Sequence, residues 1–362
     1  MTLFMGILDW GLGHAARCTP LIRLLLAKGI TVIVGGEGRS LALLRHTFPD
    51  IICIELPPYN IRYSAHSFQI PTLLWQVPRL LKVFRQEHEL LETLIEKHQI
   101  SAVISDNRYG LWTKKVPTVY ITHQIAPLAP FRYLVYALQK QFIAKFDECW
   151  IPDFPQKDRQ LAGSLAHTYP PPSKAYFVGT LSRFTGLKKK PLSAEMEALF
   201  SQKIEIAAIL SGPEPQRSIL SQKIRKQAAH LSQNVWIIEG KTEEKTIRTE
   251  GNITTFSFLT ENELFYLFEN QPIIISRGGY SSLMDFVAVG LQKCILIPTP
   301  GQTEQEYLAK YLALQKKALY VKQEALDLQQ QILQMENLVG FETWGENKGV
   351  ENEVERFLQG VK

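Results

Sequence analysis

The chain has 362 residues, of which 45% are hydrophobic and 21% are charged, and its formal net charge is +5. This length predicts two domains, and this composition is typical of a folded globular protein and excludes an intrinsically disordered chain. The positive charge is mild: it suits a protein that binds anionic ligands and excludes the dense basic surface of a dedicated nucleic-acid-binding protein.

The first half of the chain predicts an alternation of short apolar strands and longer helices. Residues 31–34 are apolar on both faces, which is typical of a strand in a parallel sheet that helices cover on both sides. Helices are predicted at residues 21–28 and 80–98. The predicted strands lie at residues 3–8, 30–34, 51–56, 102–105, 118–122 and 148–151.

The alternation restarts after a polar, basic linker at residues 183–191. Two such series predict an α/β protein with two Rossmann-like domains, whose parallel sheets face each other across a cleft. We expect an N-terminal domain at 1–182, a C-terminal domain at 183–342, and a helical tail at 343–362 that can pack back on the N-terminal domain. The later predicted elements are strands at 204–210, 235–239, 253–256, 273–276 and 294–297 and helices at 216–231, 261–269, 281–289 and 304–314.

The first strand runs into a glycine loop that contains the candidate base. Gly11 and Gly13 allow a tight turn and close approach of the backbone to a ligand, and His14 follows directly. A dinucleotide site would need an acid after the second strand, where residues 35–38 are glycine-rich instead, so an NAD site is disfavoured. A neutral His14 can take a proton from a hydroxyl near pH 7. The alternative is a histidine that only packs against or caps the turn.

A second glycine loop, late in the chain, has the pattern of a phosphate site. Gly278 and Gly279 precede Ser281 and Ser282 at the start of a helix, whose backbone N–H groups and dipole favour an anion. Asp285 lies one helical turn farther on, where its carboxylate can accept hydrogen bonds from the two hydroxyls of a ribose. The alternative is an ordinary acid on the surface of the helix.

Two further loops are expected at the same edge of the second sheet. Ser211 and Gly212 follow one predicted strand, and Gln302, Glu304 and Gln305 follow another. Loops at the carboxyl ends of parallel strands form the ligand site in sheets of this kind. We expect Glu304 and Gln305 to hold the hydroxyls of a sugar; the alternative is that they only cap their helix.

Polar residues also follow two strands of the first predicted sheet. Asp106 could orient His14 or bind an acceptor, or it could be a simple turn residue. For His123, acceptor binding and loop packing are both open. The helix at residues 131–146 mixes aromatic and basic side chains, so it could contact an anionic membrane surface and reach a lipid-linked acceptor. The alternative is a helix packed into the core.

Together these motifs resemble those of GT-B glycosyltransferases. The similarity points to the branch of glycosyltransferase family 28 that contains the MurG-type N-acetylglucosaminyltransferases and the plant-type galactolipid synthases. It spans nearly the whole chain and is strongest from Gly11 to His14 and from Ser276 to Gln305. Two departures are a single glycine before His14, where the MurG-type pattern has a pair, and a first C-terminal loop, residues 211–215, that is poorer in glycine and serine.

The resemblance implies an inverting, metal-independent transfer of a hexosyl or N-acetylhexosaminyl group from a nucleotide sugar, with UDP favoured. The acceptor is a hydroxyl group, with lipid-linked and cell-envelope glycan acceptors as options. His14 matches the catalytic base, and Gly11, Gly13, Asp106 and His123 are assigned to the acceptor side. The residues assigned to the donor site are Ser211, Gly212, Phe258, Leu259, Arg277, Gly278, Gly279, Ser281, Ser282, Asp285, Gln302, Glu304 and Gln305.

We expect no cofactor and no metal, because the four cysteines form no CxxC pair and no His, Cys or Asp group has metal-ligand spacing. The sequence contains no basic leader and no run of 18 apolar residues. We therefore expect a cytoplasmic protein, with peripheral contact to the inner face of the membrane as an option.

Two other functions stay open at this point. A UDP-sugar epimerase of the same fold would need several acids and a base around the sugar, and Glu214, Glu304 and Glu306 are the candidate acids. A non-catalytic nucleotide-sugar-binding protein would need the second glycine loop and its ribose acid but would have no use for His14.

Overall fold

The computed structural model describes residues 1–59, 70–241, 244–343 and 348–361. Its internal contacts divide the chain into two compact units. The first comprises Met1–Gly186 and Gly345–Lys362, and the second comprises Leu187–Trp344. Residues 344–347, part of the predicted C-terminal tail, lie outside the described residues.

The first unit is built on a parallel sheet of seven strands in the order β3-β2-β1-β4-β5-β6-β7. The first strand lies in the middle, and the strand order reverses between β1 and β4. Such a reversal opens a crevice at the carboxyl ends of the two strands. The strands are β1 Thr2–Ile7, β2 Thr31–Gly36, β3 Ile52–Glu55, β4 Ile100–Asp106, β5 Thr118–Ile121, β6 Glu148–Ile151 and β7 Ala175–Phe177.

Helices cover both faces of this sheet, and the central strand is correspondingly apolar on both sides. Leu3, Phe4, Met5 and Ile7 of β1 have no exposed surface at all, as expected for a parallel sheet between helical layers. The helices of this part of the unit are α1 Gly13–Ala27, α2 Gly38–Thr47, α3 Ile70–His98, α4 Arg132–Ile143 and α5 Ser164–His167.

The second unit repeats the architecture with a sheet in the order β10-β11-β9-β8-β12-β13-β14. The pair β10–β11 is antiparallel and the other pairs are parallel. The strands are β8 Ile206–Ile209, β9 Val235–Ile238, β10 Ile247–Glu250, β11 Ile253–Phe256, β12 Ile273–Ser276, β13 Cys294–Leu296 and β14 Leu319–Tyr320. The helices are α6 Ala194–Phe200, α7 Gln216–Ala228, α8 Glu261–Glu269, α9 Tyr280–Val289, α10 Thr303–Leu314 and α11 Leu328–Leu333.

Side-chain caps define the start of three helices in the second unit. The hydroxyl of Ser193 accepts from a backbone N–H of α6, and Asp327 does the same for α11. Thr260 and Glu263 form a complete capping box at α8. Because each cap satisfies an N–H group that has no partner within the helix, these residues stop the helix from starting elsewhere. Among the described residues, no helix has the length and apolar character needed to cross a membrane.

The last helix, α12 Lys348–Gln359, belongs to the first unit. Arg356 donates from its two terminal nitrogens to the two carboxylate oxygens of Glu148, at 2.8 and 2.6 Å, and its guanidinium lies 3.9 Å from the centre of the Tyr176 ring. Phe357 packs edge-on against Trp150. A bidentate ion pair and an aromatic contact therefore tie the end of the chain to β6 and β7.

The predicted α/β class with two mostly parallel sheets is confirmed. Two local predictions are wrong. The first helix begins at Gly13 rather than at residue 21, because all residues from Ala15 to Ile22 are buried and show no polar face that would reveal the helix. The antiparallel strand β10, a two-faced polar segment at the sheet edge, was not predicted.

Candidate active site

The glycine loop between β1 and α1 is held by an acid that the sequence did not single out. Asp9 accepts from the backbone N–H and the hydroxyl of Ser40, at 3.1 and 2.7 Å. Gly11 has φ +87°, a conformation that favours glycine, and a side chain there would meet no neighbouring atom within 4 Å. The loop is thus fixed in shape while its outer face stays open.

His14 lies in the first turn of α1, directly after this loop, and contacts Asp106 at the end of β4. Its Nδ1 is 2.8 Å from Oδ2 of Asp106, whose side chain is fully buried. Asp106 pairs with Ile7, the last residue of β1, in the strand register. The side chains of His14 and Asp106 therefore meet at the crevice where the strand order reverses. A carboxylate at Nδ1 stabilises the tautomer with the proton on Nδ1, which leaves the lone pair of Nε2 for a ligand. Within the described part of the chain, Nε2 has no hydrogen-bond partner.

Arg17, one turn after His14 on α1, completes this cluster. It is 2% exposed, its Nε lies 3.0 Å from Oδ1 of Asp106, and its Nη2 forms an ion pair with the same carboxylate. Its Nη2 is also 3.0 Å from Nδ1 of His14, and its Nη1 is 3.2 Å from Nδ1 of His123. The structure therefore brings His14, Asp106 and His123 together around an arginine that the sequence analysis did not single out.

The cluster shifts the pKa values of both Asp106 and His14. Burial alone would raise the pKa of the Asp106 carboxyl, but Arg17 and His14 outweigh it and lower that pKa to about 2. Burial, and then the positive charge of Arg17, lower the pKa of His14, while Asp106 opposes them. Near pH 7 the carboxylate is therefore ionised and the imidazole is neutral, which is the state a general base requires.

In the second unit, the residues predicted to bind the donor follow the carboxyl ends of β8, β11, β12 and β13. Gly212 and Gly278 have φ +94° and +72°, so both turns need glycine. Gly279 is the N-cap residue of α9, which begins without a side-chain cap, and a Cβ on Gly279 would meet nothing within 4 Å. The turn and the helix start thus present backbone to an open space, as an anion site requires.

Asp285 lies in the second turn of α9 and is only 4% exposed. The interpretation of this residue as an ordinary surface acid is therefore wrong. Its helix is otherwise apolar: Leu283, Met284 and Phe286 beside it are buried. A carboxylate in such surroundings is costly unless it has polar partners.

The residues predicted to hold the sugar and to read the base lie at the starts of two helices. Gln302 is the N-cap residue of α10, and Glu304 and Gln305 lie in its first turn. Oε1 of Gln305 accepts from the backbone N–H of Thr299 at 2.8 Å, so only the Nε2 donor of its amide points elsewhere. Half-buried Phe258 and buried Leu259 directly precede the capping box of α8.

Arg277 does not lie on the open face of this region. Its side chain is 1% exposed, and its Nη1 donates to Oε1 of Gln323 at 2.7 Å and to the carbonyl of Ile297 at 3.3 Å. Its Nη2 donates to the carbonyl of Gln216 at 2.5 Å. Arg277 therefore links the segments that follow β8, β13 and β14 through hydrogen bonds. The sequence analysis had expected it to contact the donor directly.

Ser211 is exposed, and Ser281 and Ser282 are half-buried, at the two loops that border this region. Across residues 1–59, 70–241, 244–343 and 348–361, no group of three or more His, Cys, Asp or Glu residues is placed to hold a metal ion. The residues predicted to bind the donor thus offer backbone N–H groups, hydroxyls, two amide side chains and two acids.

Residues 214–339 match the family model described as the glycosyltransferase family 28 C-terminal domain. The match includes α9, β13 and α10 with their loops. The matched residues all lie in the second unit. The resemblance predicted from the Ser276 to Gln305 block is confirmed by this match.

Comparisons over the whole chain find glycosyltransferases and an epimerase. The chain is 25% identical over 332 residues to an uncharacterized glycosyltransferase of Methanosarcina acetivorans, covering 86% of this chain and 81% of that protein. MurG of Acinetobacter baumannii superposes with a TM-score of 0.57 at 13% identity over 99% of each chain. The UDP-GlcNAc 2-epimerase of Neisseria meningitidis, bound to UDP-GlcNAc, gives 0.61 at 13% identity, over 99% of this chain and 100% of that one. The chain has the GT-B fold, and its relatives support a glycosyltransferase.

Proposed function

We propose that the chain is an inverting, metal-independent glycosyltransferase that moves a sugar from a UDP-sugar to a hydroxyl acceptor. The observation that carries the proposal is the contact of 2.8 Å between Nδ1 of His14 and the buried carboxylate of Asp106. A histidine oriented in this way has its second nitrogen available as a base. A passive sugar-binding protein gives no comparable reason for this pair.

In the proposed reaction, the oxygen of the acceptor hydroxyl attacks the anomeric carbon of the donor sugar. The bond from that carbon to the diphosphate oxygen breaks, and its electrons leave with the diphosphate. Nε2 of His14 takes the hydroxyl proton, and the Asp106 carboxylate stabilises the resulting imidazolium. A single displacement on the face opposite the leaving group inverts the anomeric centre.

The donor is assigned to the second unit. Asp285 accepts hydrogen bonds from the ribose hydroxyls, and the backbone at Phe258 and Leu259 reads the base. Glu304 and Gln305 hold hydroxyls of the sugar. Amides of the Gly278–Gly279 turn, at a helix N-terminus, stabilise the departing diphosphate. Buried Arg277 adds positive charge at the same sheet edge, which supports chemistry without a metal ion.

The acceptor is assigned to a lipid-linked hydroxyl at a membrane surface. Helix α4 has a buried side formed by Tyr136, Gln139 and Ile143, so it does pack on the core. Its other side carries an exposed apolar patch, which we call the α4 patch, made of Phe131, Tyr133, Leu134 and Leu138. A soluble surface rarely groups four large apolar side chains on one short helix, whereas a helix that lies on a bilayer does.

The variant His14→Ala tests the proposed base. Donor binding should stay nearly unchanged, and UDP release in the presence of a lipid extract as acceptor should fall by about 10²-fold or more, the usual scale for a lost general base. The matched control is His46→Ala, since His46 is an exposed histidine of the same unit. Unchanged turnover of His14→Ala would refute the assignment. A parent protein that binds the donor but never turns over would indicate a sugar sensor.

A further inference from the structure

Two buried side-chain atoms in the described chain have no hydrogen-bond partner: Nε of Arg277 and Oγ1 of Thr299. Buried polar atoms are nearly always paired, so each exception calls for an explanation such as a missing ligand. Both residues belong to the second unit and follow neighbouring strands, β12 and β13, at their carboxyl ends. The coincidence places both unpaired atoms at the edge of the sheet that we assign to the donor.

The backbone of Thr299 is fully paired, and its hydroxyl is not. Its N–H donates to Oε1 of Gln305 at 2.8 Å, and its carbonyl accepts from the N–H of Gln302 at 3.0 Å. The residue is 4% exposed, and Oγ1 lies 3.4 Å from the position that a Cβ would take on Gly212. The hydroxyl therefore faces the loop after β8, in a space that a side chain on residue 212 would narrow.

Arg277 is a buried cation whose described partners are all neutral. They are the carbonyls of Gln216, Ile297 and Pro298 and the side-chain oxygen of Gln323. Within the described part of the chain, no carboxylate pairs with this guanidinium. Burial lowers the pKa of Arg277 to about 10, because a buried charge without a counter-charge is unfavourable. An anion bound nearby would remove that cost.

We propose that Thr299 donates a hydrogen bond to the donor's β-phosphate beside Gly212, and that Arg277 balances the charge of that phosphate from below. The inference rests on the proposed function and adds a residue to which the sequence analysis assigned no role. The β-phosphate is selected because Gln305, assigned to the sugar, holds the Thr299 backbone, and the β-phosphate is the one next to the sugar. The ligand class is a nucleoside diphosphate, bound in preference to a monophosphate.

Calorimetric titration with UDP and with UMP tests the role of Thr299. The variant Thr299→Val, which keeps the shape and removes the hydroxyl, should weaken UDP binding about tenfold or more, since a hydrogen bond to a charged oxygen is lost. UMP binding should change less than about twofold, because UMP lacks the β-phosphate. Thr299→Ser should keep the affinity of the parent for UDP, and the exposed Thr249→Val serves as a control.

The outcomes separate this inference from the proposed function. If the parent binds neither UDP nor any other nucleoside diphosphate, the proposed function fails. If the parent binds UDP and Thr299→Val binds it equally well, or loses UDP and UMP to the same extent, the assignment of Thr299 is wrong.

The ratio of UDP to UMP affinity also tests Arg277, independently of how stable each variant is. Arg277→Lys keeps the charge and should keep most of the preference for UDP. In the neutral Arg277→Gln, the ratio of UDP to UMP affinity should fall about tenfold. Equal ratios in the two variants would show that Arg277 only fastens the fold. If neither variant folds, the Thr299 titration decides the proposal.

Discussion

At the scale of residues, the cluster of His14, Asp106 and Arg17 shows how the positive charge of an arginine lowers the pKa of a neighbouring histidine. A histidine beside a carboxylate alone would be easier to protonate, because the negative charge stabilises the imidazolium. Arg17 neutralises that carboxylate and itself lies 3.0 Å from Nδ1 of His14. The carboxylate thus orients the imidazole while the arginine keeps it neutral.

This arrangement predicts the pH dependence of the reaction. The pKa of His14 lies below its usual 6.5, so the acid limb of kcat/KM should fall below pH 6.5. Arg17→Met removes the positive charge next to both partners, so the pKa of His14 should rise and the limb should move to higher pH. Arg17→Lys should move it less.

Measuring kcat/KM between pH 5 and pH 9 for the parent and both variants checks this expectation. A loss of folded protein lowers the whole profile without moving its limb, so the position of the limb isolates the electrostatic role. A limb that stays in place, or moves to lower pH in Arg17→Met, would contradict the account.

Single residues could be singled out from the sequence where they directly follow a glycine loop or an apolar strand. His14 follows a glycine loop, and Asp106 and His123 end apolar strands, so the topology of a parallel sheet brings them to one edge. Arg17 was missed because its only sign is a spacing of three residues from His14 on a helix that shows no polar face. Thr299 was missed because an unpaired hydroxyl is visible only once the neighbouring groups are in place.

At the scale of elements, helix α4 packs on the core through one side and leaves an apolar patch exposed on the other. Tyr136, Gln139 and Ile143 bury one side, and the α4 patch remains exposed on the other. An amphipathic pattern predicts the existence of two sides but does not reveal how wide the buried one is. Likewise, the sequence indicated most strands to within a few residues, while the edge strand β10 needed its partner β11 to be recognised.

The α4 patch predicts binding to anionic vesicles. The double variant Phe131→Ser/Leu134→Ser should lose at least about tenfold in vesicle affinity, because two exposed apolar side chains no longer enter the bilayer. Its melting temperature should change little, since Phe131 is 79% and Leu134 58% exposed. The control Leu314→Ser changes a side chain of the other unit that is 87% exposed.

Co-sedimentation with vesicles of phosphatidylglycerol and phosphatidylcholine measures this affinity. The parent and Leu314→Ser should pellet with the vesicles, and the double variant should stay in the supernatant. Equal pelleting of all three, or none of the parent, would show that the α4 patch does not contact lipid.

At the scale of the whole molecule, each unit carries one part of the proposed chemistry. The first contains His14, the proposed base, with its carboxylate partner. The second, which matches the family 28 model over residues 214–339, contains the proposed phosphate turn with Asp285 and Gln305. The GT-B fold does not by itself separate a transferase from an epimerase, since both kinds of structure superpose on the chain. The assignment therefore depends on the side chains of the two sites.

The measurement that tests the account most directly is a thermal-shift titration with UDP-, GDP-, dTDP- and CMP-sugars. A ligand at a hundred times its Kd stabilises the folded state by about 2.7 kcal/mol, so a true donor should raise the melting temperature measurably. We expect a saturable rise with a UDP-sugar, strongly reduced in Asp285→Ala and kept in the exposed-acid control Glu250→Ala. If none of the four classes raises the melting temperature of the parent, the chain does not bind a nucleotide-sugar donor and the account is wrong.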